Sequence, residues 1–255
     1  MADPADAETT GHGFTARQEA VIPASTRAAW AMLLPYLPEG SYLAGGTAIA
    51  VHLHHRVSRD LDFFTSEPID TDHLVETLER SNLPFLLERE VRDRNIEITL
   101  ESTKVEFTSA PANRLTEPTT VTAGVAVAGL GDLMAMKLAA IAKRRQMRDF
   151  EDIRAIELKG GRRIEEGLAL ALLRYGLRSE DALLPMVAAL GGVSECPPDP
   201  LVVTDRQVLA DYFEQRLPEV LVSLGRWDAA APPADIAATI AGLLREAVEP
   251  DTDTE

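Results

Sequence analysis

Apolar and polar positions along the chain alternate between helical and strand spacing up to Gly160-Gly161, and beyond that point they keep helical spacing. Ser25 to Leu37 carries apolar residues at helical spacing behind a Ser25 or Thr26 cap, which predicts a helix. Tyr42 to Ala44 predicts a short buried strand, closed by Gly45-Gly46, and Thr47 to His55 predicts a short helix. Asp60 to Thr65 alternates, so a strand would place Asp60 and Asp62 on one face and Leu61 and Phe63 on the other. Thr71 to Ser81 predicts a helix beginning near Asp70. Leu86 to Arg92, Ile96 to Glu101 and Lys104 to Thr108 predict consecutive strands joined by tight turns, and Val121 to Ala128 a further strand. A helix capped by Gly131-Asp132 is expected to run to Gln146, and another from Arg148 to Leu158. After Gly160-Gly161, helices are expected at Ile164 to Tyr175, Ser179 to Leu190, Asp205 to Leu224 and Pro233 to Ala247, with the proline-rich Gly191 to Pro200 as a loop.

This order predicts an α+β fold: a mixed sheet with flanking helices, followed by a helical C-terminal domain. The expected division is a disordered tail over 1–15, a core over 16–160, a helical domain over 161–248 and a second tail over 249–255. No apolar run is long enough to span a bilayer, and the polar N-terminus lacks the basic and apolar regions of a signal peptide. One cysteine, Cys196, leaves no intrachain disulfide framework, and a cytoplasmic location is the simplest expectation. The net charge of -16 argues against binding nucleic acid over the whole surface. It leaves room for a local patch, and Lys143, Arg144, Arg145, Arg148 and Arg154 form the densest positive cluster, with Arg162 and Arg163 soon after.

Asp60 and Asp62 carry the chemistry. On one strand face their α-carbons would lie roughly 6–7 Å apart, close enough for the carboxylates to repel unless a cation lies between them. Mg²⁺ takes oxygen ligands and bridges carboxylates to substrate phosphates. Two surface acids would be the plain reading of such a pair by itself, as an ordinary tight turn would be for Gly45-Gly46. Together, strand, glycine turn, helix and acidic strand make a phosphate platform: glycine permits close backbone approach, and the helix start offers free N–H groups and the positive end of its dipole. Thr47 would add a hydroxyl there, and Arg56, Ser58 and Arg59 would add phosphate donors, although either arginine fits a structural ion pair equally well. Glu106, on an alternating strand, is the first choice for a third acid, with Glu97 and Glu101 as competitors. Asp132 fits a plain N-cap as well as a ligand. The neighbouring His52, His54 and His55 do not converge on one metal at helical spacing, and Cys196 receives no role.

These residues resemble the nucleotidyltransferase AbiEii/AbiGii toxin family of the DNA polymerase β-like nucleotidyltransferase superfamily. Gly45-Gly46-Thr47-Ala48 followed by Arg56-Val57-Ser58-Arg59-Asp60-Leu61-Asp62-Phe63-Phe64 looks like its first motif. Asp132 to Lys137 matches its Asp-x4-Lys motif, and Arg148-Asp149-Phe150-Glu151-Asp152 its Arg-Asp-x-x-Asp segment. The resemblance spans Tyr42 to Leu158 and implies a nucleotidyltransferase-like fold. It also implies roles: Asp60 and Asp62 bind Mg²⁺ or Mn²⁺, Gly45, Gly46 and Thr47 hold a nucleoside triphosphate, and Lys137 neutralises phosphate charge. Asp149 is the acid of the last motif, or Asp152 in its place. The implied activity is transfer of a nucleoside monophosphate to an acceptor hydroxyl, with the tRNA 3′ end as acceptor, in the toxin of a toxin–antitoxin or phage-defence system that has a cognate antitoxin. Transfer to a protein or small molecule, or a nucleotide-binding module without turnover, are the alternatives.

Overall fold

The computed structural model describes residues 13–110, 115–117, 119–177 and 180–224. The chain opens with α1 (Ala16–Val21) and α2 (Ala24–Leu33), the latter ending in a 3-10 turn over Leu34–Tyr36 that contains Pro35. β1 (Tyr42–Ala44), α3 (Gly45–Leu53) and β2 (Leu61–Thr65) follow, then α4 (Thr71–Arg80). β3 (Phe85–Val91), β4 (Asn95–Leu100) and β5 (Thr103–Ser109) form an antiparallel meander, as their alternation predicts. β6 (Thr120–Thr122) and β7 (Val125–Val127) lead to α5 (Leu130–Lys143), α6 (Met147–Gly160), α7 (Ile164–Arg174), α8 (Leu184–Ala189) and α9 (Arg206–Leu224).

The sheet runs β3-β4-β5-β2-β1-β7-β6, and it is mixed: β2 is parallel to β5 and β1 to β7, while the other pairs are antiparallel. β2 is therefore central, flanked by β1 with its glycine turn and by β5 with Glu106. Its inward residues Leu61 and Phe63 are buried, and Phe63 stacks on Phe107 at 5.5 Å between centroids. Trp30 meets Phe63 and Phe14 edge-on, and its Nε1 donates to the Ala123 carbonyl at 3.3 Å. Buried residues of α7, α8 and α9 belong to the same hydrophobic cluster as those of the sheet, and α7 packs on α5. No helix among the described residues is long and apolar enough to cross a membrane.

Several expectations change. Phe14, placed in the tail by sequence, is buried, because Trp30 gives it an aromatic partner. The strand expected over Val121 to Ala128 is a hairpin: Ala123 and Gly124 take positive φ (44 and 82°), which suits a two-residue turn of the primed type. α5 is capped by Gly129, and Asp132 lies inside its first turn. Between Glu180 and Glu195 a helix and a loop were expected. Instead a 3-10 turn over Glu180–Leu183, α8 and a second 3-10 segment over Leu190–Glu195 follow one another. The helix expected at Pro233 to Ala247 and the C-terminal tail over 249–255 lie outside the described residues.

Candidate active site

β2 sets the geometry. Asp62 is the outward residue between buried Leu61 and Phe63, and Asp60 precedes the strand by one residue. The parallel register pairs Asp62 with Glu106 on β5, and Asp62 opposes Ala44 on β1, one residue before Gly45. Asp60, Asp62, Glu106, Gly45 and Gly46 line one cleft, together with cationic Arg59, Lys104, Arg144 and Arg148. Glu106 Oε1 accepts from Asn95 Nδ2 (2.7 Å) and Thr108 Oγ1 (3.2 Å), which fixes its rotamer. Burial, then Glu106, then Asp60 push the Asp62 carboxyl up to about 6, against weaker relief from Lys137 and Arg144. The acids on this face are thus short of counter-charge. Asp60 lies 3.6 Å from the Arg148 guanidinium, which also lies 3.8 Å from Asp199.

The glycines have a tighter role than phosphate approach alone. Gly45 has φ +69°, and a side chain there would collide with the Asp62 carboxylate; at Gly46 a Cβ would lie 2.5 Å from Arg56 Nη2. The turn is stripped of side chains because the acid and the arginine press against it. The first N–H groups of α3, having no intrahelical acceptors, still point out of the helix start. Thr47 does not present its hydroxyl to the cleft: it is buried, donates to the Asp60 carbonyl and lies 2.9 Å from Ser58 Oγ. Its side chain therefore ties α3 to the segment before β2, a correction to the expected phosphate contact.

A second set of charges lies behind the cleft. Lys137 Nζ, buried on α5, sits 2.7 Å from both Asp149 Oδ1 and Asp152 Oδ2 on α6. Asp152 also receives Arg56 Nε (2.7 Å) and Nη2 (2.8 Å) and meets His55 Nε2 at 2.7 Å. Arg144 donates from Nε to Asp149 Oδ2 at 3.0 Å. Burial alone would raise both carboxyls, but Lys137 and Arg56 hold Asp152 well below the usual range, and Lys137 and Arg144 hold Asp149 below it. Burial would lower the Lys137 ammonium, yet Asp152 and Asp149 keep it above the ordinary lysine value. Asp149 and Asp152 thus face Lys137 and Arg56 rather than the open cleft. Arg56 is the ion-pair arginine of the two that sequence left open, while Lys137 reaches the cleft wall from within the pair.

His55 was not foreseen as a member of this network, and only its position beside Arg56 hinted at it. His52 instead lies 2.9 Å from the Ala128 carbonyl. Asp132 is neither cap nor cleft acid: it accepts from the Thr116 and Glu117 backbone and from Arg174. Glu97, a competitor for third acid, pairs with Lys104, and Glu101 lies in the β4–β5 turn with φ 49°. Sequence also missed Leu201, on the cleft wall. Its segment is held by buried Glu151, which accepts from the Val203 and Thr204 backbone at 3.1 and 3.0 Å. Among the described residues, no group of three or more His, Cys, Asp or Glu side chains is gathered into a metal shell.

Residues 33–231 match the model of the nucleotidyl transferase AbiEii toxin of type IV toxin–antitoxin systems. The chain belongs to this family. A relative in Aquifex aeolicus (strain VF5), an uncharacterized protein, is 32% identical over 138 residues, covering 52% of this chain and 66% of the relative. The chain thus aligns with just under two thirds of that protein's length. A crystal structure of a putative nucleotidyltransferase from H. pylori superposes with a TM-score of 0.50 at 18% identity, covering 80% of this chain and 96% of the other. JHP933 from Helicobacter pylori is similar at a TM-score of 0.49 and 17% identity, covering 91% of this chain and 99% of the other. The match of H. pylori fold to this sheet and its helices agrees with the α+β architecture, and the family is one of nucleotidyltransferases.

Proposed function

We propose that the protein transfers a nucleoside monophosphate from a nucleoside triphosphate to an acceptor hydroxyl, and that Asp60, Asp62 and Glu106 hold the divalent cations. The observation that carries this reading is the register of Asp62 with Glu106 beside the Gly45-Gly46 turn, with Asp60 on the same cleft. The donor set suits a hard cation: oxygen ligands only, crowded enough that burial and like charge raise Asp62 to about 6. Asp60, Asp62 and Glu106 would hold Mg²⁺ or Mn²⁺, which would supply positive charge for phosphoryl chemistry and lower the acceptor's pKa.

The protein's own groups do the rest. The N–H groups opening α3 receive the polyphosphate, with Ser58 lining the same cleft. Arg144 and Arg148 bring positive charge to the leaving pyrophosphate, and Lys137 supports them from the wall. The acceptor oxygen bonds to the α-phosphorus, the bond to the bridging oxygen of pyrophosphate breaks, and the acceptor proton passes to the carboxylate cluster. Asp149 and Asp152 act as positioning residues, fixing Lys137 and Arg56 under the turn.

The acceptor is RNA, with the tRNA 3′ end as the first candidate, approaching over the exposed cations Arg59 and Lys104 on the cleft. The family supports a toxin role with a cognate antitoxin, and we place both in the cytoplasm. The test is a labelled-nucleotide transfer assay on total cellular RNA, wild type against Asp62→Ala. Label entering one RNA size class with wild type alone is the expected result. Equal labelling by both proteins, or pyrophosphate release without label transfer, refutes the reading.

A further inference from the structure

Two cavities meet at Asp62, and their walls differ in chemistry. The first, over Asp60 and Asp62, is walled almost wholly by charged and polar side chains and backbone, with Leu201 its one large apolar member. The second lies over the other side of Asp62 and adds Phe64, Met136, Ala139, Ala140, Lys143 and Tyr175. Asp62, Glu106, Gly45, Lys137 and Arg144 belong to both. The division follows from β2: Asp60, Asp62 and Phe64 succeed one another on one face, so the face passes from carboxylate to aromatic ring along a single strand.

Phe64 is held in place by stacking on Tyr42, with centroids 6.1 Å apart and planes at 23°. Tyr175 follows the last turn of α7, partly buried, with its ring 6.0 Å from the guanidinium carbon of Arg174. Arg174 in turn donates to the Tyr42 hydroxyl at 3.0 Å. The two ring-bearing walls are therefore braced through one buried arginine and do not need a ligand to order them.

A nucleoside triphosphate has the same polarity as this pair of cavities. Its polyphosphate is anionic, its base is flat and largely apolar on its faces, and the α-phosphate joins them. Nucleotidyl transfer requires that the α-phosphate lie at the carboxylates, so the nucleoside must occupy space adjoining Asp62 that the polyphosphate does not use. Resting on the nucleotidyltransferase reading above, we propose that the second cavity is the donor nucleoside's subsite, with Phe64, Met136 and Tyr175 contacting the base. An acceptor is the rival occupant. Arg59 and Lys104 are exposed cations of the first cavity only, whereas the second adds Lys143 beside a wall of Phe64, Met136 and Tyr175, and that ring-bearing wall suits a base better than a phosphate strand.

The test separates the two halves of the ligand. Binding of inorganic tripolyphosphate and of each ribonucleoside triphosphate, all with Mg²⁺, is measured by calorimetry on the full chain. The variants are Tyr175→Ala and Ala140→Leu, the second filling the cavity from a half-exposed helix position without emptying the core. Wild type should bind at least one nucleoside triphosphate more tightly than tripolyphosphate. Both variants should lose about tenfold or more of the nucleotide affinity and keep tripolyphosphate affinity unchanged. Unchanged nucleotide affinity in both folded variants overturns the assignment, and if turnover at saturating nucleotide falls at the same time, the cavity belongs to the acceptor. A wild type that binds neither ligand instead defeats the nucleotidyltransferase reading itself.

Discussion

The acids on the open face of β2 and β5 and the acids on α6 sit within one neighbourhood, yet their surroundings are opposite. Asp60, Asp62 and Glu106 crowd one another, and Asp62 is pushed up to about 6 by burial and by its two acidic neighbours. Asp149 and Asp152 are more deeply buried, but each has at least two cationic partners within 3.0 Å, and both are held below the ordinary carboxylate range. Lys137 belongs to both regions: it is paired behind and exposed to the cleft in front. The difference teaches what each set is for. A buried acid with complete partners is part of the scaffold, whereas crowded acids whose burial and mutual repulsion outweigh the nearby cations suit a bound cation.

Removing a partner from the neutralised set should have the largest effect. Lys137→Ala leaves two carboxylates without their shared ammonium, and such a loss costs about 3–5 kcal/mol. Chemical denaturation should show that destabilisation, and label transfer should fall severely even where the protein stays folded. A fully active Lys137→Ala protein would undo its role at the cleft wall. Next comes Gly45→Ala, which strains a backbone at φ +69° and drives a methyl group into the Asp62 carboxylate. A loss of about 1–3 kcal/mol is expected, along with lost transfer; wild-type activity would show that the turn has slack.

The opposite sign is expected on the open face. Asp62→Asn removes a charge that the fold disfavours, so the metal-free protein should gain about 1 kcal/mol while transfer is lost. Thermal melting without divalent cations measures this, and a destabilised Asp62→Asn would mean that the acids are already compensated. The same carboxyl also sets a pH dependence. Asp62 binds its proton more tightly folded (about 6) than at the ordinary aspartate value of 3.8, so between those values the folded state carries more protons than the unfolded one. By linkage, this group's contribution makes the metal-free protein less stable as pH rises from about 4 to about 6. Cation binding should show the reverse trend and weaken as pH falls through about 6. Asp62→Asn should flatten the stability trend.

The open face was legible from the sequence because strand alternation fixes side-chain direction with no knowledge of tertiary contacts. Asp60, Asp62 and the pairing with Glu106 required only period-two reasoning and the guess that two strands are neighbours. The neutralised network was only half legible. Its members sit in recognisable motifs, but which face the cleft depends on how α3, α5 and α6 pack. Asp149 could equally have met the ligand. His55 and Thr47 show the same limit: each makes its contact across a tertiary interface or a loop that spacing does not encode. The glycine turn was located correctly, but the pressure of Asp62 and Arg56 on it appears only in three dimensions. The hairpin at Ala123-Gly124 escaped because alanine gives little sign of a positive φ.

The most direct measurement is calorimetric titration of Mn²⁺, in the presence of a nucleoside triphosphate, into wild type, Asp62→Asn and Glu79→Gln, the last an exposed acid on α4 away from the cleft. Saturable uptake by wild type and by Glu79→Gln, with uptake abolished in a folded Asp62→Asn, is the predicted outcome. Wild-type affinity in Asp62→Asn would contradict the claim that the crowded acids of β2 and β5 are completed by a cation.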